Sequence, residues 1–277
     1  MKSFFRQILL IISSIVLFIS CSTERKLAVY YAKNASSINA LVLSPAFLYK
    51  VNQKTYLLDS LGITDESIFD SVLYANSDLL QYVNDSLFLS NYIYGLKKEL
   101  AVFGIKVYGE KEMGSFLEND SNAVLINVAQ VELEEVLYPW EDITQIYDTK
   151  YTYSHLLNAV YINSWIEIGK YDQVNSTQQV YFASDLITDI VDGEFNYDVF
   201  SQKIQYMYNY DSLTVSQIYD YAYVLGRTYA GYTFDLLLNT YLDKKLLNGS
   251  RSDKYWRYDP IKHVFFPAQK DMFILME

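Results

Sequence analysis

Residues 122–132, Asn-Ala-Val-Leu-Ile-Asn-Val-Ala-Gln-Val-Glu, are the stretch that decides the fold. The segment is apolar at first and then alternates between apolar and polar residues, which is typical of a buried strand. A short helix is predicted before it, over residues 110–118, after a turn at Gly109. A short strand over residues 105–108 precedes that turn. Residues 122–132 are therefore predicted to be the strongest strand of the chain.

A longer helix precedes these elements. Asn84 or Asp85 can cap its start, and Gly104 follows where a helix end favours a left-handed residue. Residues 39–44 are predicted to form a buried strand, which Pro45 ends. The helix is predicted from apolar residues spaced by three and four positions, namely Leu89, Ile93, Leu96, Leu100 and Phe103. The intervening residues 50–84 are expected to be irregular, with short helical pieces.

The order strand, helix, strand, helix, strand over residues 39–135 predicts an α/β layer. Residues 153–167 and 178–184 are two further β segments, which are expected to form a hairpin that extends the sheet. The predicted fold class is therefore α/β, with a mixed sheet packed with helices over residues 39–190. A helical, tyrosine-rich C-terminal region, residues 191–277, is expected to pack on it.

The C-terminal region contains one long predicted helix. Thr214 and Gln217 form a capping box at its start, and the helix can run to about Leu247. Its small residues Gly226, Ala230 and Gly231 share a face that permits close approach of another element. The tail, residues 255–277, is rich in aromatic residues and is expected to pack back across the domain.

The first twenty residues are typical of an export signal. Lys2 and Arg6 supply a basic start, and the apolar run over residues 8–19 is too short to span a bilayer. Residues 18–21, Phe-Ile-Ser-Cys, resemble the lipobox of bacterial lipoproteins, which implies that Cys21 is acylated and becomes the new N-terminus. Cys21 is the only cysteine in the chain. An ordinary cleaved signal peptide or an uncleaved anchor is the alternative.

This resemblance implies a domain order and a location. Residues 1–20 are assigned as the signal peptide and residues 21–38 as a tether. Ser22 stands after the cysteine in place of Asp, which implies transfer to the outer membrane. Residues 22–26, Ser-Thr-Glu-Arg-Lys, are not the acidic run that resembles a surface-display signal. A lipid-anchored protein that faces the periplasm is therefore expected.

The amino-acid composition argues against some classes of binding partner. The chain has 22 basic and 33 acidic residues, and without residues 1–20 the formal charge is −13. Such a surface repels phosphate backbones, so nucleic-acid binding is not expected. It also repels anionic lipid headgroups, which leaves the acyl chains on Cys21 as the expected membrane contact. With 51% hydrophobic and 20% charged residues, the chain is typical of globular proteins.

The order of elements over residues 39–184 resembles the α/β domain of several envelope proteins. These are the N-terminal domain of TolB, the curli secretion-channel lipoprotein and the lipoprotein activators of penicillin-binding proteins. The corresponding parts are residues 41–45, the helix end at Phe103-Gly104, and residues 105–108 and 123–128. This resemblance implies a non-enzymatic role in envelope assembly or secretion.

Few residues are candidates for catalysis or for binding a metal or cofactor. His155 and His263 have no partner at metal-ligand spacing, and no Gly-rich phosphate loop occurs, so neither a metal nor a cofactor is expected. An acidic cluster surrounds Pro139 and Trp140, namely Glu132, Glu134, Glu135, Glu141 and Asp142. Paired carboxylates can hydrolyse glycosides, but acidic residues at a strand end more often form a solvated edge. Glu132 and Glu134 are expected to share one face of a strand.

Three functions therefore stay open. The favoured one is a non-catalytic scaffold or accessory subunit in envelope assembly, secretion or transport, with an envelope protein as partner. The second is a glycan- or peptidoglycan-binding lipoprotein that uses exposed aromatic residues, and the third is a carboxylate-dependent hydrolase. The candidate contact residues for a partner or glycan are Trp140, Tyr138, Tyr219 and Tyr223.

The lipidation hypothesis predicts the behaviour of Cys21→Ala. Because the cysteine sulfur is the acylation site, the variant should incorporate no radiolabelled palmitate and should leave the membrane fraction. Labelling and fractionation of cells check this. Label retained by the variant would contradict the assignment.

Overall fold

The computed structural model describes residues 23–118, 122–171, 178–246, 254–268 and 272–276. Cys21 and the signal segment lie outside these residues. The fold is mixed α/β, as predicted, with parallel and antiparallel strands in one sheet. In the described part of the chain, no helix is both long and apolar enough to span a membrane.

Eleven strands are present in the described residues. The main sheet contains seven of them, and the other four form two separate hairpins. The sheet strands are β1 (Asn39–Leu43), β2 (Tyr49–Asn52), β3 (Lys106–Gly109), β4 (Ala123–Ile146), β5 (Thr149–Lys170), β6 (Gln179–Thr188) and β11 (Ile274–Leu275). The hairpin strands are β7 (Ile190–Asp198) with β8 (Lys203–Asp211), and β9 (Tyr255–Asp259) with β10 (Val264–Ala268).

The order across the sheet is β11-β6-β5-β4-β1-β3. β1 is parallel to both β3 and β4, and β2 is parallel to β4 further along. The predicted hairpin is confirmed, because β5 pairs antiparallel with β6. β5 also pairs antiparallel with β4 over nearly its whole length, with one bulge between Val128 and Gln130.

Helices cover the sheet unequally. On one face, α4 and α6 pack over a core that includes Ala40, Val42 and Ile126. On the other face, Phe116 of α5 packs on Leu41. The helices are α1 (Thr23–Lys33), α2 (Tyr56–Leu61), α3 (Phe69–Ala75), α4 (Asp85–Val102), α5 (Met113–Leu117) and α6 (Val215–Lys245). The predicted caps are present, with Asn84 Oδ1 accepting from Leu87 N at 3.0 Å and Thr214 forming a capping box with Gln217.

α4 and α6 cross at two glycines. A Cβ on Gly226 would lie 2.0 Å from the carbonyl oxygen of Tyr92, and a Cβ on Gly95 would lie 2.2 Å from that of Tyr223. Both contacts are with backbone, so a side chain at either position would force the helices apart. The predicted close approach is therefore made by Gly226, whereas Gly231 lies at ordinary contact distance, 3.8 Å, from Phe103.

The predicted tether is wrong from residue 23 onward. Residues 23–33 form α1, which packs on α6 and on the β9–β10 hairpin. Ala28 is completely buried there, and Glu24 Oε2 accepts a hydrogen bond from Trp256 Nε1 at 3.0 Å. The physical reason is that the apolar residues of this segment find a complementary surface on the C-terminal region, which the local sequence does not reveal.

The C-terminal region is only partly helical. It begins with the β7–β8 hairpin, and the tail adds β9, β10 and β11. The tail packs back as expected. Two side chains of α6 bind the backbone of β9. Asp235 accepts from Tyr258 N, and Asn239 accepts from Trp256 N and donates to the Trp256 carbonyl oxygen.

The glycine crossing yields a matched pair of variants. Gly226→Ala should lower the free energy of unfolding by about 3 kcal/mol, because its methyl group overlaps the Tyr92 carbonyl. Gly231→Ala, five residues along the same helix, should stabilise the protein by up to about 1 kcal/mol through helix propensity. Urea unfolding followed by circular dichroism measures both. Equal stabilities of the two variants would show that the helices can move apart freely.

Candidate functional site

Two strands of the main sheet, β4 and β5, continue beyond the strands beside them and form a projecting arm. β4 from residue 137 and β5 up to residue 158 pair only with each other. With a rise of about 3.3 Å per residue, this hairpin extends about 30 Å. The β7–β8 hairpin packs against it. We call residues 137–158 together with residues 190–211 the β-arm.

An aromatic layer joins the two hairpins of the β-arm. Tyr153 stacks on Tyr206 with ring centroids 4.2 Å apart and planes 13° apart. Phe195 meets the edge of Tyr206 at 4.8 Å. These rings bury apolar area and add favourable ring contacts, so they take the place of a conventional core. The other rings of the layer are Trp140, Tyr151, His155, Tyr208 and Tyr210.

One glycine makes room for the rings of this layer to pack together. A Cβ on Gly193 would lie 2.7 Å from the Met207 carbonyl oxygen and 2.8 Å from the Tyr206 ring. Both distances are well inside van der Waals contact. Gly193 therefore allows Tyr206 to lie across β7 and reach Tyr153.

The environment raises the pKa of the central ring of this layer, Tyr206. Burial first, and then the nearby Asp142 carboxylate, raise the pKa of Tyr206 to about 12. Its hydroxyl group consequently stays protonated at any physiological pH.

A buried polar network forms the base of the β-arm. Glu135 is completely buried, and its carboxylate accepts from the backbone N–H groups of Asp78, Leu79 and Leu80 at 2.9–3.1 Å. Lys54 Nζ donates to Glu135 Oε1 at 2.8 Å. Burial lowers the pKa of Lys54, but its hydrogen bonds with Asp78 and Glu135 outweigh that effect and the pKa is raised. Lys54 therefore stays charged inside the protein.

The network continues to the second hairpin. Lys54 Nζ also donates to Asn158 Oδ1 at 2.8 Å. The backbone N–H of Asn158 donates to Asp189 at 2.6 Å, and Asp189 also accepts from Leu213 N and from the Tyr210 hydroxyl. These bonds tie the residues that follow β2 and precede β7 to β4, β5 and β8 at one point, so the network sets the position at which the arm leaves the body.

The tip of the β-arm is apolar and exposed. Phe200 is 100% exposed, Tyr147 is 94% exposed and Val199 is 72% exposed. Asp198 Oδ1 accepts from Phe200 N at 2.9 Å, which holds the β7–β8 turn in shape. Hydrogen bonds from Ser201 and Phe200 also lower the pKa of Asp198. Large apolar side chains exposed together mark a contact surface.

The four predicted contact residues fall in two separate places. Trp140 lies within the aromatic layer, 6.3 Å from Tyr206, and Tyr138 lies near the arm base, opposite Leu157 on β5. Tyr219 and Tyr223 lie instead on α6. The Tyr219 hydroxyl accepts from Asn84 N at 2.7 Å.

Tyr223 lies at the surface between α6 and α4. Its ring stacks on Tyr94 at 5.9 Å, and its hydroxyl accepts from Lys98 at 3.0 Å. The four residues therefore do not form one surface.

The acidic cluster is not at a strand end, because β4 continues through it to Ile146. Glu132 and Glu134 lie on one face of β4, where Asn163 Nδ2 contacts them at 3.3 and 3.4 Å. Glu135 points to the opposite face and into the network. Its long-range partner Lys54 is the reason that it is buried.

The two histidines lie apart from these carboxylates. His155 packs between Tyr208 and Tyr210 in the aromatic layer. His263 has a φ of 53° in the β9–β10 turn, and its Nδ1 lies 3.0 Å from the Tyr258 hydroxyl. Within the described ranges, no group of three or more His, Cys, Asp or Glu side chains is placed to hold a metal ion.

The β7–β8 hairpin, and therefore most of the arm, lies in a region that the sequence predicts to be helical. A signal was present, because Ile204, Tyr206, Tyr208 and Tyr210 alternate with other residues at the period of a strand. The exposed turn residues Val199 and Phe200 carry no such pattern. Lys54 also had no local signal, since its partners are distant in sequence.

No protein-family model matches the chain, and neither does any curated protein. The candidate site is therefore defined by the geometry of the β-arm.

Gly193→Ala should loosen the β-arm without unfolding the body. The added methyl group should displace Tyr206 and cost about 1–3 kcal/mol locally. Amide hydrogens of residues 137–158 should then exchange about tenfold or more faster, whereas those of α4 should not change. Gly114→Ala is the control, because a Cβ there meets nothing within 4 Å. Unchanged exchange in the arm would show that Gly193 is not needed for its packing.

Proposed function

We propose that this protein is a non-catalytic, lipid-anchored accessory protein of the bacterial outer membrane, and that it contacts an envelope protein through the tip of its β-arm. The observation that carries the proposal is the contrast within the arm. Its inner aromatic residues join the two hairpins, whereas Phe200, Tyr147 and Val199 at its end contact nothing that buries them. Exposed apolar side chains at the end of two packed hairpins are suited to insert into a pocket on a partner protein.

The first helix supports a close attachment to the membrane. α1 begins at Thr23, two residues after Cys21, and packs firmly on α6. Two residues span at most about 7 Å. If Cys21 carries the lipid, the body therefore lies directly at the membrane surface, and the β-arm supplies the reach that a flexible tether would otherwise give.

The two other functions find less support in the geometry. A glycan platform needs aromatic rings that are coplanar and open, but most rings of the β-arm face each other. On the main sheet, Trp165 and Phe182 are neighbours whose planes differ by 52°. For a hydrolase, Glu132 and Glu134 do converge on Asn163, but neither lines the surface cavity at Ser44 or the one at Tyr151.

The tip is tested by a double variant, Tyr147→Ser with Phe200→Ser. Both side chains are almost fully exposed, so the fold and stability should not change. Mild crosslinking of the lipidated protein in its own membranes, followed by affinity purification, should recover one or two envelope proteins in stoichiometric amounts. The tip variant should reduce their recovery at least tenfold, because the anchor residues of an interface contribute most of its affinity.

The matched control is Tyr82→Ser with Ile261→Ser, two residues that are 66% and 80% exposed elsewhere on the surface. It should recover the same partners as the wild type. Undiminished recovery by the tip variant would contradict the role of the β-arm. Recovery of the wild-type protein alone, or only with peptidoglycan fragments, would contradict the accessory role and favour glycan binding.

A further inference from the structure

A second feature, separate from the β-arm, lies where the first parallel strands end. The connection after β1 leads through α4 on one face of the sheet, and the connection after β3 leads through α5 on the other face. The two loops therefore diverge at the carboxyl ends of adjacent parallel strands. In open α/β sheets, ligands bind in the crevice that forms at such a point.

A groove of about 960 Å³ is present at this position. Ser44, Pro45 and Ala46 after β1 form one wall, and residues of α4 form the other. The remaining lining comes from β3 and the segment after it, through Val107 and Lys111. The volume is within the range of sites that hold small organic molecules.

The lining of the groove combines positive charge with apolar side chains. Lys97, Lys98 and Lys111 all border it, although the chain as a whole has a net charge of −11. Its apolar lining includes Leu89, Ile93 and Ala101 from α4.

Two of the lysines have no carboxylate of the described residues within ion-pair distance. In the described part of the chain, Lys97 and Lys111 form no ion pair, whereas Lys50, Lys54 and Arg227 each pair with a carboxylate. The Lys97 amine lies over Gly109, at 2.6 Å from where a Cβ would be, so the missing side chain at Gly109 makes room for it.

Nearby groups limit what can bind. Lys98 is held at the rim by the Tyr223 hydroxyl, and its amine lies 5.5 Å from the centre of that ring. Two carboxylates are close, but both accept from backbone N–H groups. Glu110 accepts from Ser44 N at 3.2 Å, and Glu112 accepts from Gly109 N at 2.9 Å. Neither carboxylate lines the groove, whereas the three lysines do, so the charged side chains that line it are all positive.

We propose that this groove, which we name the lysine groove, binds a small amphiphilic anion. A phosphate or carboxylate group would lie between Lys97 and Lys111, and a hydrocarbon portion would lie along Leu89, Ile93 and Ala101. The anion gains charge-assisted hydrogen bonds, and the hydrocarbon gains burial. Because the groove is apart from the β-arm, this proposal does not depend on the function of the tip.

Isothermal titration calorimetry with octyl phosphate tests the proposal, with inorganic phosphate and octanol titrated separately. Octyl phosphate should bind saturably at one site per chain, and each of the other two should bind at least tenfold more weakly. Lys97→Gln with Lys111→Gln should weaken octyl phosphate at least tenfold, and so should Ala101→Glu, which adds a carboxylate on the exposed wall. Raising the salt concentration should weaken binding further.

The matched control is Lys150→Gln with Lys203→Gln, which removes two lysines from the β-arm and should not change the affinity. Absence of saturable binding would overturn the proposal, and so would equal affinity in the two double variants. Inorganic phosphate binding as tightly as octyl phosphate would also overturn it, since the apolar wall would then contribute nothing.

Discussion

The crossing of α4 over α6 at Gly95 and Gly226 is the constraint on which the rest of the structure depends. Backbone of each helix occupies the space that a side chain of the other would need. This close contact brings Tyr92 and Tyr229 together, edge to face at 6.0 Å, over the centre of the sheet. It also sets the height of the helix layer. α1 and β9 pack on α6, so their positions follow from the same contact.

The β-arm follows a different principle from the body. The body has a core of aliphatic and aromatic side chains between helices and sheet, whereas the arm is two hairpins with one layer of rings between them. Two-stranded hairpins are marginally stable alone, so this layer and the network around Glu135 and Asp189 are what allow the arm to persist. Tyrosine suits such a layer because the ring packs while the hydroxyl can bind a polar group, as the Tyr210 hydroxyl binds Asp189.

The sequence predicts the body better than the candidate site for a physical reason. The strand at residues 122–132, the caps at Asn84 and Thr214, and the periodicity of α4 are local signals, and the structure contains them all. The sequence places Glu135 among its acidic neighbours, because nothing local indicates that Lys54 reaches it from 81 residues away. β4 continues past residue 132 to Ile146 although Pro139 disfavours a central strand, because residues 137–146 pair on one side only, with β5.

The continuity of β4 has a mechanical consequence. One 24-residue strand runs from the middle of the sheet to the arm, and its ladder with β5 is unbroken apart from one bulge. The hydrogen bonds of this ladder lie perpendicular to the strands. A pull on the tip along the arm would load β4 and β5 together in the same direction. The load would reach the body as shear on the hydrogen bonds that join β4 to β1 and β5 to β6. The arm can thus transmit tension directly to the body whenever its tip is bound to a partner that moves.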